Sequence, residues 1–473
     1  MALTSKHPCY TEMLPDWEKV RACASGERAV KEADTLYLPE TSGMRLDGML
    51  PGAEGRARYD AYKLRAVFPN YVRCAVESMI GVMWRKAPVI ELPTALEPLR
   101  ERATRSGESL ELLLRRVNEA QLMTGRLGLL ADMSDAASPS NFPYLATYEA
   151  ELITNWNDEF TMDGREILRF AILDESAYEM DGNFEWKKVQ QHRVLQLLDE
   201  GAARVYAAGV FTASMGYSEE ALIVPEYRGR KLEKIPFVFV NPSDLLPEPS
   251  LPPLLGLAEL CLTIYRGEAD YRQALFMQGQ DTLVEEGDGQ PKALRTGAGA
   301  AIHVPIGGKA YFIGVDSRGL PEMRTALEND RREAREMSAQ LLDTASRAKE
   351  SGEALKTRIA AQTVTLNSIA RTGAAGLQEI LRTVAEWVGA NPEQVNVYPN
   401  LDFSEGGLTP REYVDLMTAK QSGLPLSDQS IHERLREDEY TALEFAEEMR
   451  LVEDERRLQA DETARRFNAG MIG

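Results

Sequence analysis

Apolar positions early in the chain recur at helical spacing. Tyr62, Phe68, Tyr71, Val72, Val76, Ile80 and Met83, with Leu64 and Val67 among them, predict one core-packed helix over Tyr59–Arg85, ending before Pro88. Leu110–Leu130 repeats the pattern, and Gly125 and Gly128 ahead of Leu129-Leu130-Ala131 predict a turn from helix into strand. Before them, residues 1–50 are rich in turn formers such as Pro15, Gly43 and Gly48, and are expected to wrap over another surface.

From Tyr144 to Val240 the texture changes to short runs (166–170, 193–198, 203–210 and 237–240) separated by Asp181-Gly182, Glu200-Gly201 and Arg228-Gly229, which predicts a β-rich region. Five prolines between Asn241 and Pro253 forbid regular structure and mark a boundary. Leu254–Gln278 then reads as a long helix. Leu320–Leu341 reads as a second, with a narrow stripe of Leu320, Met323, Leu327, Ala334, Met337 and Leu341 and charges over most of its remaining surface. Between them lies a glycine-rich stretch with strand candidates at 302–306 and 310–315, which predicts a compact β-containing insertion. A polar hinge, Thr344–Gly352, leads into a third long helix over Glu353–Val388, where Gly373 and Gly376 are expected to allow a kink. Val395–Phe403 is a strand candidate, and 409–469 is helical and heavily charged, interrupted at Gly423-Leu424-Pro425. The mixture defines an α+β fold with no internal repeat.

Bulk properties narrow the functional classes. The 473 residues are 44% hydrophobic and 27% charged, which is a globular balance. A net charge of −20 argues against tight duplex binding, since that affinity comes from cations neutralising phosphates, and any DNA contact is expected to be local or transient. Cys9, Cys23, Cys74 and Cys261 are widely spaced without a C-x-x-C, pointing to reduced thiols, with neither a zinc site nor a disulfide scaffold. No leader segment and no membrane-spanning apolar run is evident, so the chain is expected to be neither secreted nor membrane-spanning.

Catalytic signatures are missing. His7, His192, His303 and His432 are scattered, so no metal site is expected. A P-loop ending at Gly308-Lys309 would need Ser or Thr at 310 and Gly at 303, where Ala310 and His303 stand. No cofactor and no catalytic residue is assigned. The hinge places two cations, Arg347 and Lys349, in a polar breaker between long helices. On composition alone this is a solvated connection, and the alternative is a loop aimed at a polyanion. The acidic run Glu433–Glu455 reads as a solvated helix face.

The order of these pieces resembles the portal proteins of tailed bacteriophages. Tyr62-x-x-Arg65-Ala66-x-Phe68-x-Asn70, Ile235-Pro236-Phe237-Val238, Pro253-Leu254-Leu255-x-Leu257-Ala258 and Leu366-x-x-Ile369-Ala370 are similar to a subfamily known only as a domain of unknown function and assigned to portals. Asp402-Phe403 and Ser422-Gly423-Leu424-x-x-Ser427 add to the likeness, which covers roughly residues 59–455. The resemblance implies a portal fold of N-terminal arm and wing (1–252), first stem helix (253–279), clip (280–318), second stem helix (319–341), tunnel loop (342–352), long wing helix and strand (353–407) and crown (408–473). It also implies a cyclic ring, usually of 12 subunits, at one capsid vertex of the virion, assembled in the host cytoplasm and passing double-stranded DNA during packaging and ejection. The implied partners are the terminase large subunit docked on the clip, the major capsid protein, scaffold and a head-tail adaptor. On this basis Leu327 and Ala334 are expected to make subunit contacts in the stem, and Arg347 and Lys349 to face DNA in the bore.

Two alternatives belong to other classes: a phage DNA-metabolism enzyme such as a nuclease or packaging ATPase, and a capsid-associated adaptor without a channel. The first needs an acidic metal triad or a P-loop.

Overall fold

The computed structural model describes residues 3–133, 142–160, 166–200, 203–212, 215–279, 282–286, 306–313, 317–339, 352–401, 403, 410–437 and 440–470. The chain divides into two compact units, Met1–Leu401 and Asp402–Gly473. Helices and sheets occupy separate stretches, as the α+β class requires, and every described strand pair is antiparallel.

The N-terminal stretch holds helices α1 (Pro8–Ser25), α2 (Glu27–Glu32) and α3 (Ser42–Leu46), which its turn residues do not announce. Pro8 opens α1 where its missing N–H costs nothing, and the His7 side chain caps the helix by accepting from the Cys9 N–H. Tyr10, Met13, Trp17, Val20 and Ala24 form a buried stripe at helical spacing. Pro15 lies inside α1, so the weight normally given to an interior proline hides that stripe.

Tyr59–Arg85 contains two helices rather than one, α4 (Glu54–Arg65) and α5 (Tyr71–Met83). Pro69 disfavours helical geometry at Phe68, and Asn70 Oδ1 caps the new helix by accepting from the Arg73 N–H at 3.0 Å. Leu64 and Val67, read as core positions of one helix, are exposed once the helix is broken.

Beyond β1 (Val89–Glu91) and α6 (Pro98–Glu101), α7 (Leu110–Thr124) turns into β2 (Leu127–Met133). The turn residue Gly125 has φ 68°, and a Cβ there would stand 2.7 Å from the Ser250 carbonyl oxygen, so both geometry and space demand glycine. The β region comprises β3 (Pro143–Glu149), β4 (Ile153–Phe160), β5 (Glu166–Asp174), β6 (Ala177–Met180), β7 (Trp186–Val189), β8 (Gln191–Glu200), β9 (Ala203–Thr212) and β10 (Phe237–Val240). A three-stranded sheet has the order β10-β2-β3, and a four-stranded sheet β4-β5-β8-β9. β6 and β7 form a separate hairpin that leaves Tyr178, Met180, Phe184 and Trp186 exposed, Phe184 by 82%. Its turn is tied by Asp181, whose Oδ1 accepts from the Asn183 N–H at 2.8 Å and whose Oδ2 pairs with Lys187 at 2.8 Å.

After the proline-rich break come α8 (Leu255–Gln278), a hairpin of β11 (Thr282–Glu286) and β12 (Lys309–Ile313), then α9 (Leu320–Ala339) and α10 (Gly352–Val388), and finally β13 (Asn396–Tyr398) paired with β1. β11 lies outside the strand candidates read from the sequence, and residues 302–305 are not described. α10 runs unbroken through its two glycines. Their role is close approach: a Cβ at Gly373 would meet Asn118 at 2.4 Å, and one at Gly376 would meet Val240 at 2.5 Å. One core cluster packs α7 and α10 against β2, and another joins α1 and Trp387 to residues of both larger sheets.

The second unit holds α11 (Pro410–Gln421), α12 (Asp428–Glu437) and α13 (Phe445–Gly470). Ser427 Oγ caps α12 by accepting from the Ser430 N–H at 3.0 Å, Tyr413 stacks edge-on to Tyr440 at 5.3 Å, and His432 lies 5.4 Å from Phe445.

Candidate functional site

The resemblance puts the stem at α8 and α9, and these helices pack antiparallel. Gly267 of α8 faces Leu327 so closely that a Cβ would meet its Cδ2 at 2.9 Å, while Gly256 faces Met337. Glu268 occupies a buried position of α8 and joins the helices: one carboxylate oxygen accepts from Arg331 of α9, the other from Arg272 one turn on, at 2.6 Å. A glutamate on the face that also buries Leu257, Cys261, Ile264 and Tyr265, followed four residues later by arginine, is the signal that sequence inspection missed.

The N-terminal helices hold α8 along its length. Lys19 pairs with Glu259 at 3.1 Å, Cys23 Sγ donates to the Ala258 carbonyl, and Arg266 Nε donates to the Tyr37 carbonyl at 2.9 Å. Farther along, the Tyr62 hydroxyl donates to Asp270 at 2.6 Å, and Arg65 donates to Gln273 and covers the Phe276 ring at 4.1 Å. Burial, reinforced by Asp270, pushes the Tyr62 phenol well above its ordinary range. Burial also lifts the Cys23 thiol to about 12 and the Cys261 thiol to about 11, so both stay protonated and unreactive at neutral pH.

The two residues expected to make stem contacts pack within the chain itself. Leu327 is 6% exposed and Ala334 is fully buried, with their burial supplied inside the chain. Arg347 and Lys349 lie outside the described residues.

A second polar seam locks α10 onto α7. Asn118 accepts from Trp84 Nε1 at 3.3 Å and donates to Gln121, which donates in turn to the Asn241 carbonyl and to Thr372 Oγ1, both at 2.8 Å. Arg193 braces the two larger sheets, pairing with Asp132 at 2.8 Å and Glu175 at 2.7 Å. Arg126 is wholly buried. Its guanidinium lies 4.0 Å from the Trp156 ring centre and 4.5 Å from that of Phe239, donates to the Pro247 carbonyl at 2.7 Å, and is lowered to about 9 by loss of solvent. His7 stacks on the same Trp156 at 4.0 Å, and burial, with Arg126 nearby, lowers its pKa. Among the described residues no group of three or more His, Cys, Asp or Glu side chains could hold a metal, and no helix is long and apolar enough to cross a membrane. What this arrangement offers is fixed helix geometry and exposed charge.

Residues 253–388 match the family described as "Domain of unknown function (DUF4055)". The match runs from α8 through α10 and covers less than half of the 473 residues. Nothing among curated proteins matches. Among solved structures, a chain of the "Neck of native GTA particle computed with C12 symmetry" is 14% identical over 77% of this chain and 89% of that one, at a TM-score of 0.35. A chain of the "Neck of empty GTA particle computed with C6 symmetry" is 15% identical over 76% and 88%, at 0.36. One from the "Virion of native gene transfer agent (GTA) particle" is 13% identical over 84% and 98%, also at 0.36.

Proposed function

We propose that the chain is the subunit of a phage portal: a closed ring, of about twelve copies by the resemblance, that forms the channel for double-stranded DNA at one capsid vertex and joins head to tail. The observation that carries this reading is the run helix, hairpin, helix and long helix from α8 to α10, with its helix pair tied by Glu268 and Arg331 and held to the N-terminal helices. That is the order in which portals place stem, clip, stem and wing. An acidic protein suits the role, since a bore of mostly negative surface repels phosphates and lets DNA slide. Arg347 and Lys349 would supply a weak grip that salt erases. Terminase, capsid protein, scaffold and adaptor are the partners this role calls for, and the ring itself performs no catalysis.

Native mass spectrometry and negative-stain microscopy of the purified full chain test the reading. Closed rings with a central hole are the expected result, and a monomer or dimer at assembly concentrations would sink it. Nuclease or ATPase turnover with magnesium or manganese, lost on mutating a single carboxylate, would move the protein to the enzyme class.

A further inference from the structure

Once the buried side of α9 is known, most charges on the rest of the helix sort by sign; the exceptions are Glu328, which pairs with Arg324, and Arg332, which donates to Asn329 at 2.9 Å. At about 100° per residue, Arg324, Glu328, Arg331 and Arg335 follow one flank of the Leu320–Met323–Leu327–Ala334 stripe, at spacings i, i+4, i+7 and i+11. Glu322, Ala326, Asn329 and Glu333 follow the other at the same spacings, with Glu336 just outside it. The basic flank is already oriented: Arg324 donates to Glu328 at 2.8 Å, Arg335 Nε donates to the Arg331 carbonyl at 3.0 Å, and Arg331 reaches Glu268. Among the described residues Glu322, Glu333 and Glu336 have no ion-pair partner, although all three are exposed.

From this geometry we infer that the acidic flank of α9 docks on the basic flank of α9 in a second copy of this chain. Glu322 and Glu333 are separated by the same number of residues as Arg324 and Arg335, about 16 Å along the axis. A parallel neighbour shifted by about 3 Å brings Glu322 opposite Arg324 and Glu333 opposite Arg335 together. A two-fold contact through the acidic flank would set Glu322 against Glu333, and one through the other flank Arg324 against Arg335. The sorted flanks therefore favour a head-to-tail contact, the kind that closes into rings. Local complementarity of this kind is needed because copies that each carry −20 repel at longer range. The inference rests on the ring reading and assigns the surface that makes it.

Two charge-reversed full-length variants test it, one with Glu322→Arg and Glu333→Arg, the other with Arg324→Glu and Arg335→Glu. The first has two basic flanks and the second two acidic flanks. Each alone should need roughly tenfold or more higher concentration to assemble than the unaltered chain, while an equimolar mixture should recover rings in which the two alternate. Native mass spectrometry reads both composition and an even subunit number. Recovery on mixing also shows that each variant is folded. Wild-type assembly by either variant alone, or failure of the mixture to recover, overturns the α9 contact while leaving the ring reading standing. An unaltered chain that stays monomeric overturns both.

Discussion

At the scale of single residues, glycine makes opposite demands at two places. Gly125 combines a positive φ with a carbonyl oxygen where a Cβ would point, so Gly125→Ala is expected to lower stability by roughly 1–3 kcal/mol. Gly81 lies inside α5 with nothing near its Cβ position, and Gly81→Ala should raise stability by about 0.5–1 kcal/mol. Thermal melts of the two variants should move in opposite directions. Alkylation of the native protein should modify the exposed Cys74 first and spare Cys23 and Cys261 until denaturant is added. His7 gives a pH signature. Its pKa is lower in the folded chain, so the unfolded chain takes up a proton first, and the contribution is present above the unfolded value near 6.5 and lost as pH falls through the folded one. His7→Asn keeps a capping side chain without titrating there, so the melting-temperature advantage of the natural residue should shrink between pH 7.5 and pH 5.

Elements show what the sequence could and could not disclose. α8 and α9 begin within a residue of where periodicity places them, because each starts on a clear apolar stripe with a breaker on its N-terminal side. α1 escapes notice because Pro15 sits in the middle of an otherwise regular stripe, and Tyr59–Arg85 is misjudged because Pro69 and Asn70 interrupt a stripe that looks continuous. Gly373 and Gly376 read as weak points of α10, yet only their neighbours Asn118 and Val240, distant in sequence, reveal why glycine is needed. The charges of α9 likewise look like an ordinary solvated surface until the buried side fixes the two flanks. Leu327→Asp is expected to cost about 3 kcal/mol or more in the stability of the chain itself, because Leu327 is buried against α8. Denaturant unfolding of that variant should show the loss under conditions where the unaltered chain is unassembled.

For the molecule as a whole, three hydrophobic clusters among the described residues lie within Met1–Leu401. A chain ending at Leu401 is therefore expected to unfold cooperatively, with its main calorimetric transition near that of the complete protein. The same distribution determines how this protein would look in a fluorimeter. Of its five tryptophans, Trp17, Trp156 and Trp387 are buried and Trp84 is half-buried against Asn118. Trp186, on the exposed β6–β7 hairpin, stands in water. The emission of the free chain should thus divide into a blue interior component that iodide hardly touches and a red component that iodide quenches. Any partner or neighbouring copy that covers the hairpin will shield that second component, so the protein carries its own optical reporter for whether its aromatic arm is occupied.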